Sequence, residues 1–155
     1  MAFTVYKSQN LIYPLSMATN AKLDLSEIWL FSTFSKSELV QIRRSFTELK
    51  VDPERVLCEE GSVGQEFFII LEGTASVIRA GKKVNKLGAG QFFGELALLD
   101  HKPRSATVMA ATEMTLLVLS QREFFGLIDE RPALTKKLLQ ALAGRLRAAD
   151  SRAFH

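Results

Sequence analysis

Between Phe92 and Val108 the chain reads Phe-Phe-Gly-Glu-Leu-Ala-Leu-Leu-Asp-His-Lys-Pro-Arg-Ser-Ala-Thr-Val, and its recognisable chemistry is concentrated there. Gly94 permits a tight backbone, and Glu95 to Leu99 suit a short helical turn whose first N–H groups lack a partner inside the helix. Free amides at a helix start favour an anion. The Arg104 guanidinium, behind the turn that Pro103 fixes, can hold two phosphate oxygens in a planar fork. Glu95 would repel such an anion unless it faces a hydroxyl donor, and a sugar hydroxyl suits it. One phosphate beside one ribose hydroxyl describes a nucleotide. The alternative, in which Glu95 and Arg104 pair across a turn between two strands, gains little, because a buried ion pair seldom exceeds its desolvation cost. It also leaves Pro103, Ala106 and Thr107 without a reason.

These residues need elements on both sides to position them. Upstream, Ile28, Leu30, Phe31, Phe34, Leu39, Ile42 and Phe46 recur at helical intervals, broken at Ser35-Lys36-Ser37. That pattern predicts two short helices over about residues 24–49, with Ser35 or Ser37 capping the second. From Pro53 onward, short apolar strands alternate with glycines: Arg55 to Glu59, Phe67 to Leu71, Thr74 to Arg79 and Val84 to Leu87, with turns near Gly61, Gly64, Gly73 and Gly81. Ser105 to Ala111 and Thr115 to Leu119 read as two closing strands. Evenly spaced short strands predict a small antiparallel roll over about residues 54–119, which leaves few long exposed edges. Ser120 with Glu123 at capping-box spacing opens a helix through Leu127. Pro132 opens a last helix with an apolar stripe of Leu134, Leu138, Ala141, Leu142 and Leu146, so C-terminal helices occupy about 120–150. The fold class expected is α+β, mainly β, with residues 1–20 a loosely ordered leader and 21–155 one domain.

The Phe93 to Leu98 run and the Pro103 to Val108 run, in register within one motif, resemble the phosphate-binding cassette of the cyclic nucleotide-binding domain family. The resemblance implies an antiparallel β-roll of jelly-roll type, an N-terminal helical bundle, a short cassette helix and C-terminal helices. It implies that Glu95 takes the ribose 2′-hydroxyl and Arg104 the cyclic phosphate, with backbone N–H groups of Leu96, Ala97 and Ser105 completing the cradle. Gly94, Ala106 and Thr107 complete the expected ligand-binding set. It further implies a lid from the last helix over the base, for which Leu142, Arg145 and Leu146 are the candidates. In the family a threonine directly after the arginine accompanies guanine selectivity and an alanine adenine selectivity. Ser105 lies between these, and cAMP is favoured over cGMP because serine also occurs in adenine-selective members.

Composition bounds the remaining options. With 155 residues, 47% hydrophobic and 24% charged, the chain has the make-up of one soluble globular domain. The formal charge of +3 gives no argument for nucleic acid. Cys58 is the single cysteine, so an internal disulfide is excluded and a reducing compartment is compatible; it reads as a packed strand residue. The start has no signal-peptide pattern and no apolar run approaches the roughly 20 residues of a membrane helix, which places the chain in the cytoplasm. The only histidines are His101 and His155, so a metal-dependent jelly-roll enzyme is disfavoured, and no catalytic constellation, metal site or resident cofactor is expected. The expected function is a cyclic nucleotide sensor whose C-terminal helices signal to an effector protein outside this chain, with no membrane and no direct nucleic-acid contact. A homodimer through the last helix is a further option. The alternatives are a ligand-free structural module, and a DNA-binding regulator whose reader helix would have to follow His155. The initiating methionine and the leader lean toward an independent small protein.

Overall fold

The computed structural model describes residues 22–153, so the expected leader lies outside the described residues. Strands β1 (Thr47–Val51), β8 (Met114–Ser120), β3 (Glu66–Glu72) and β6 (Phe92–Phe93) lie side by side in one antiparallel sheet. Strands β2 (Val56–Cys58), β7 (Thr107–Ala110), β4 (Ala75–Arg79) and β5 (Lys82–Leu87) form the second. The helices are α1 (Lys36–Arg43), α2 (Glu95–Asp100), α3 (Gln121–Glu130) and α4 (Pro132–Ala153). The class is the expected mainly β roll with helices before, within and after it. Among the described residues no helix is long and apolar enough to cross a membrane.

The sheet containing β3 and β8 is covered on both faces, which explains why Phe67 to Leu71 are all buried instead of alternating. Phe67 packs on Phe124 of α3, ring centroids 5.2 Å apart, whereas Phe68 stacks on Phe93 at 4.7 Å. The other sheet has an exposed edge at β5, whose Lys82, Lys83 and Lys86 discourage pairing with another chain. The β4–β5 hairpin turns through Ala80 and Gly81, both at positive φ (52° and 78°), so strand pairing already begins at Arg79↔Lys82 and β5 starts two residues before the expected Val84.

At the N-terminal side the helical expectation over 24–49 needs correcting at both ends. The first expected helix is two 3₁₀ turns, Leu25–Glu27 and Trp29–Phe31, and the second stops at Arg43. Thr47 to Val51 form β1, pairing residue for residue with Val118 to Met114. Leu39, Ile42, Phe46 and Leu49 imitate a helical stripe, but five cross-strand pairs outweigh that local pattern. Both serine caps form: Ser35 Oγ accepts from Glu38 N–H and Ser120 Oγ from Glu123 N–H, each at 3.2 Å in a reciprocal capping box.

Helices α3 and α4 bury Phe124, Leu127, Leu134, Leu138 and Ala141. Their neighbours are Leu30, Phe31 and Phe46 of the N-terminal segment and Phe67 and Leu119 of the sheet. The start of α4 is also fastened by polar contacts. Thr135 Oγ1 donates to the Ile128 carbonyl at 2.6 Å, and Arg131 donates to Gln41 Oε1 at 2.9 Å with Glu38 3.7 Å away. The Lys137 ammonium lies 4.3 Å from the Trp29 ring centroid.

Candidate functional site

The cassette begins where the chain leaves β6. Gly94 takes a left-handed backbone, φ 96°, and turns the chain into α2; His101, at φ 58°, ends that helix. At Gly94 a side chain is also excluded by space, because a Cβ would stand 2.7 Å from the Glu66 carbonyl oxygen and 2.9 Å from Arg104 Nη1. Within α2, Leu98 is wholly buried and anchors the helix in the core, while Leu96 is exposed.

A pocket forms between this turn and the strands behind it, lined by Gly94, Glu95, Leu96, Ala97, Arg104, Ser105 and Ala106 together with Phe93, Cys58 and Val108. Seven of the eight ligand-binding residues expected from sequence therefore converge. Thr107 is the exception: its hydroxyl accepts from the Glu60 N–H at 2.9 Å and so ties β7 to the loop after β2. Glu95 and Arg104 are both buried, at 1% and 6% exposure, which is unusual for charged side chains. The guanidinium is held by two carbonyls, Nη1 donating to Gly94 at 2.9 Å and Nη2 to Glu66 at 2.8 Å. The Glu66 carboxylate lies 3.9 Å away, half-exposed. Ser105 is exposed, and its carbonyl accepts from Arg79 Nε at 3.1 Å.

Cys58 and Gly64 are the residues that the motif did not mark. Cys58 lines the pocket, and burial pushes its thiol up to about 11, so it stays protonated and unreactive near neutrality. Gly64 lies against the Arg104 side chain, a packing relation that no local sequence pattern signals. The lid candidates do not line the pocket: Leu142 is half-buried against the core and Leu146 is exposed, while the Arg145 side chain falls outside the described residues. A larger groove, about 590 Å³, lies between Lys22 to Ser26 and α1, but two of its four cations, Lys22 and Arg43, already share Glu48 Oε1 at 2.8 and 3.0 Å. Neither a buried carboxylate nor a buried guanidinium lines that groove, whereas both line the pocket at α2.

The cyclic nucleotide-binding domain family model matches residues 48–131, which contain the whole cassette. A cyclic nucleotide-gated potassium channel of Rhizobium etli is 39% identical over 109 residues, 70% of this chain and 30% of the channel. The Cyclic AMP receptor protein of Thermus thermophilus is 30% identical over 119 residues, covering 73% of this chain and 55% of the receptor. The crystal structure of the Thermus thermophilus Catabolite Activator Protein superposes with a TM-score of 0.75 at 29% identity, over 80% of this chain and 61% of that one. The chain spans about a third of the length of the channels it matches. With the motif in register, the roll around it, and a family match over more than half its length, the chain belongs to the cyclic nucleotide-binding domain family.

Proposed function

We propose that this domain is a sensor of cAMP, with cGMP the weaker ligand, and that it signals through its C-terminal helices to an effector outside the chain. One observation carries the reading: a buried carboxylate and a buried guanidinium line the same pocket as the first residues of a short helix. Arg104 supplies the charge and fork for the cyclic phosphate, Leu96, Ala97 and Ser105 offer backbone N–H groups, and Glu95 accepts from the ribose 2′-hydroxyl. A carboxylate and a phosphate clamp, with no metal-ligand cluster among the described residues beside them, suit the site to binding a phosphodiester and leaving it intact. Ser105 supports cAMP as the base choice, as does the name of the Thermus receptor.

Signalling through α4 requires that helix to leave the position in which it rests. Leu134, Leu138 and Ala141 of its stripe are buried against the N-terminal turns and α3, Leu146 is exposed, and no described α4 side chain lines the cassette pocket. For α4 to act as a lid, ligand must favour a second position in which Leu142, Arg145 and Leu146 reach the base, because a ligand moves an equilibrium only by its differential affinity for the two states. The exposed Leu139 and Leu146, at 61% and 64%, also offer a seam to a second copy of this helix, which makes a homodimer a compatible partner arrangement. The effector is a separate protein or the remainder of a longer polypeptide.

The deciding experiment is calorimetric titration of the wild type and Arg104→Ala with cAMP, cGMP and a cyclic dinucleotide. The reading expects cAMP to bind most tightly to the wild type and Arg104→Ala to lose about 1.5–3 kcal/mol or more. Tighter cGMP would overturn the base choice, and equal affinities for both proteins would overturn the role of Arg104.

A further inference from the structure

We propose that the loop joining β2 to β3, and Gly64 above all, is the positioning device for Arg104; the inference rests on the proposed function for the identity of the ligand. The loop grips Arg104 at several points. Arg104 N–H donates to the Ser62 carbonyl at 2.8 Å, and Gly61 N–H donates to the Arg104 carbonyl at 2.9 Å, so the main chain is paired in both directions. The side chain then runs back along the loop, where Nη2 reaches the Glu66 carbonyl at 2.8 Å. Between these anchors the stem of the guanidinium lies on the bare Cα of Gly64. A Cβ there would fall inside contact distance of Arg104 Nε, Cζ and Cδ.

Gly64 differs from its neighbours in why it must be glycine. Gly61 and Gly94 have φ of 83° and 96°, a backbone that disfavours any side chain, whereas Gly64 is not at positive φ. Its backbone accepts alanine; the guanidinium does not. The obstructing atoms belong to a side chain that can swing aside, so the cost of alanine falls on the placement of the guanidinium more than on the fold. The loop itself cannot retreat easily. Glu60 N–H donates to Thr107 Oγ1 at 2.9 Å, Glu60 Oε1 accepts from Ala80 N–H at 3.0 Å, and Ser62 Oγ donates to the Glu59 carbonyl at 2.6 Å. Gly64 thus acts through Arg104 and touches no ligand.

A double-mutant cycle tests this with cAMP as the probe: wild type, Gly64→Ala, Arg104→Ala and the double variant, each titrated at one salt concentration and melted without ligand. In the Arg104 background Gly64→Ala should weaken binding at least about tenfold, the equivalent of a lost charge-assisted hydrogen bond, with little change in melting. In the Arg104→Ala background, where the obstruction is gone, the same change should alter affinity by less than about twofold. Equal losses in both backgrounds, or no loss in the first, overturn the proposal. If Gly64→Ala alone fails to fold, the double variant should fold again, and its failure to do so also overturns it. Absence of cAMP binding by the wild type would instead overturn the proposed function. In that case the ligand-free ¹⁵N resonance of Arg104 Nε, which should move in Gly64→Ala, still decides the positioning role.

Discussion

Removing the charge of Lys137 should tighten cAMP binding, although Lys137 does not line the cassette pocket. Its ammonium sits over the half-buried Trp29 ring at 4.3 Å and so fastens α4 to the N-terminal turns. A cation–π contact of this kind contributes about 0.5–1 kcal/mol at a partly exposed site. If the lid position competes with the docked position, Lys137→Gln weakens the docked state alone. The ligand-competent fraction then rises about two- to fivefold, and the apparent Kd falls by the same factor. Adding Arg131→Gln, which removes the contacts to Gln41 at 2.9 Å and Glu38 at 3.7 Å, contributes a further ~0.2–1 kcal/mol. The two contacts share no partner, so their effects should add. Calorimetry gives the affinities. Trp29, the only tryptophan, gives the motion, because its emission in the wild type should change when cAMP draws Lys137 away. Unchanged emission at saturation, together with unchanged affinity in Lys137→Gln, would refute the moving helix and leave α4 as a fixed packing element.

Three other outcomes are expected. The wild type should bind 2′-deoxy-cAMP more weakly than cAMP by about 1.5–3 kcal/mol, and Glu95→Ala should bind the two alike; a wild type indifferent to the 2′-hydroxyl removes the role given to Glu95. Gly94→Ala combines a φ of 96° with a Cβ 2.7 Å from the Glu66 carbonyl oxygen, so chemical denaturation should show a loss of about 1–3 kcal/mol, and a loss below ~0.5 kcal/mol would refute the crowding. Cys58 ionises more readily in the unfolded chain than in the fold, where burial raises its thiol from 9.0 to about 11. Folded Cys58 therefore holds more protons than unfolded Cys58 over that range, so its contribution is full below pH 9 and is lost as pH rises toward 11. Cys58→Ala should flatten the decline measured there by urea unfolding, and an unchanged slope would show that other groups cause it.

How much of this was legible in the sequence depended on how far apart the partners are. The cassette was readable because its chemistry is local: Gly94, Glu95 and Arg104 stand within one short stretch, and the turn and the six-residue helix between them need no distant partner to be recognised. The cap at Ser120 was readable for the same reason, lying three residues from Glu123, whereas Ser35 and Ser37 stood as equal candidates for the earlier helix until Ser35 was seen to pair with Glu38. β1 was not readable, because its pairing with Met114 to Val118 joins residues more than sixty positions apart and local periodicity favoured a helix. The relation of Gly64 to Arg104 is likewise non-local, and a glycine between two strands looks like any turn until the guanidinium is seen lying on it. The stripe on α4 announced that the helix packs, but an amphipathic pattern carries no record of what lies opposite it.

That last gap bears on mechanism, because the same strand serves both the site and the helices. Successive β3 residues point to opposite faces. Phe67 meets Phe124 of α3 and Phe92 at 5.2 and 5.4 Å, and Phe68 stacks on Phe93, which lines the pocket. The Phe92-Phe93 pair that leads into Gly94 thus has one ring among the residues that carry α3 and the other in the lining of the pocket. At the far end of the cassette helix, the His101 ring lies 6.5 Å from Phe125 of α3. A displacement of α2 on binding would reach α3 from both of its ends, and a close-packed aromatic layer answers by changing between discrete arrangements more readily than by deforming smoothly. The two ends predict different losses. His101→Ala removes one exposed contact and should leave the Trp29 response largely intact, whereas Phe92→Leu opens the layer itself and should weaken that response while Arg104 and Glu95 continue to hold the ligand.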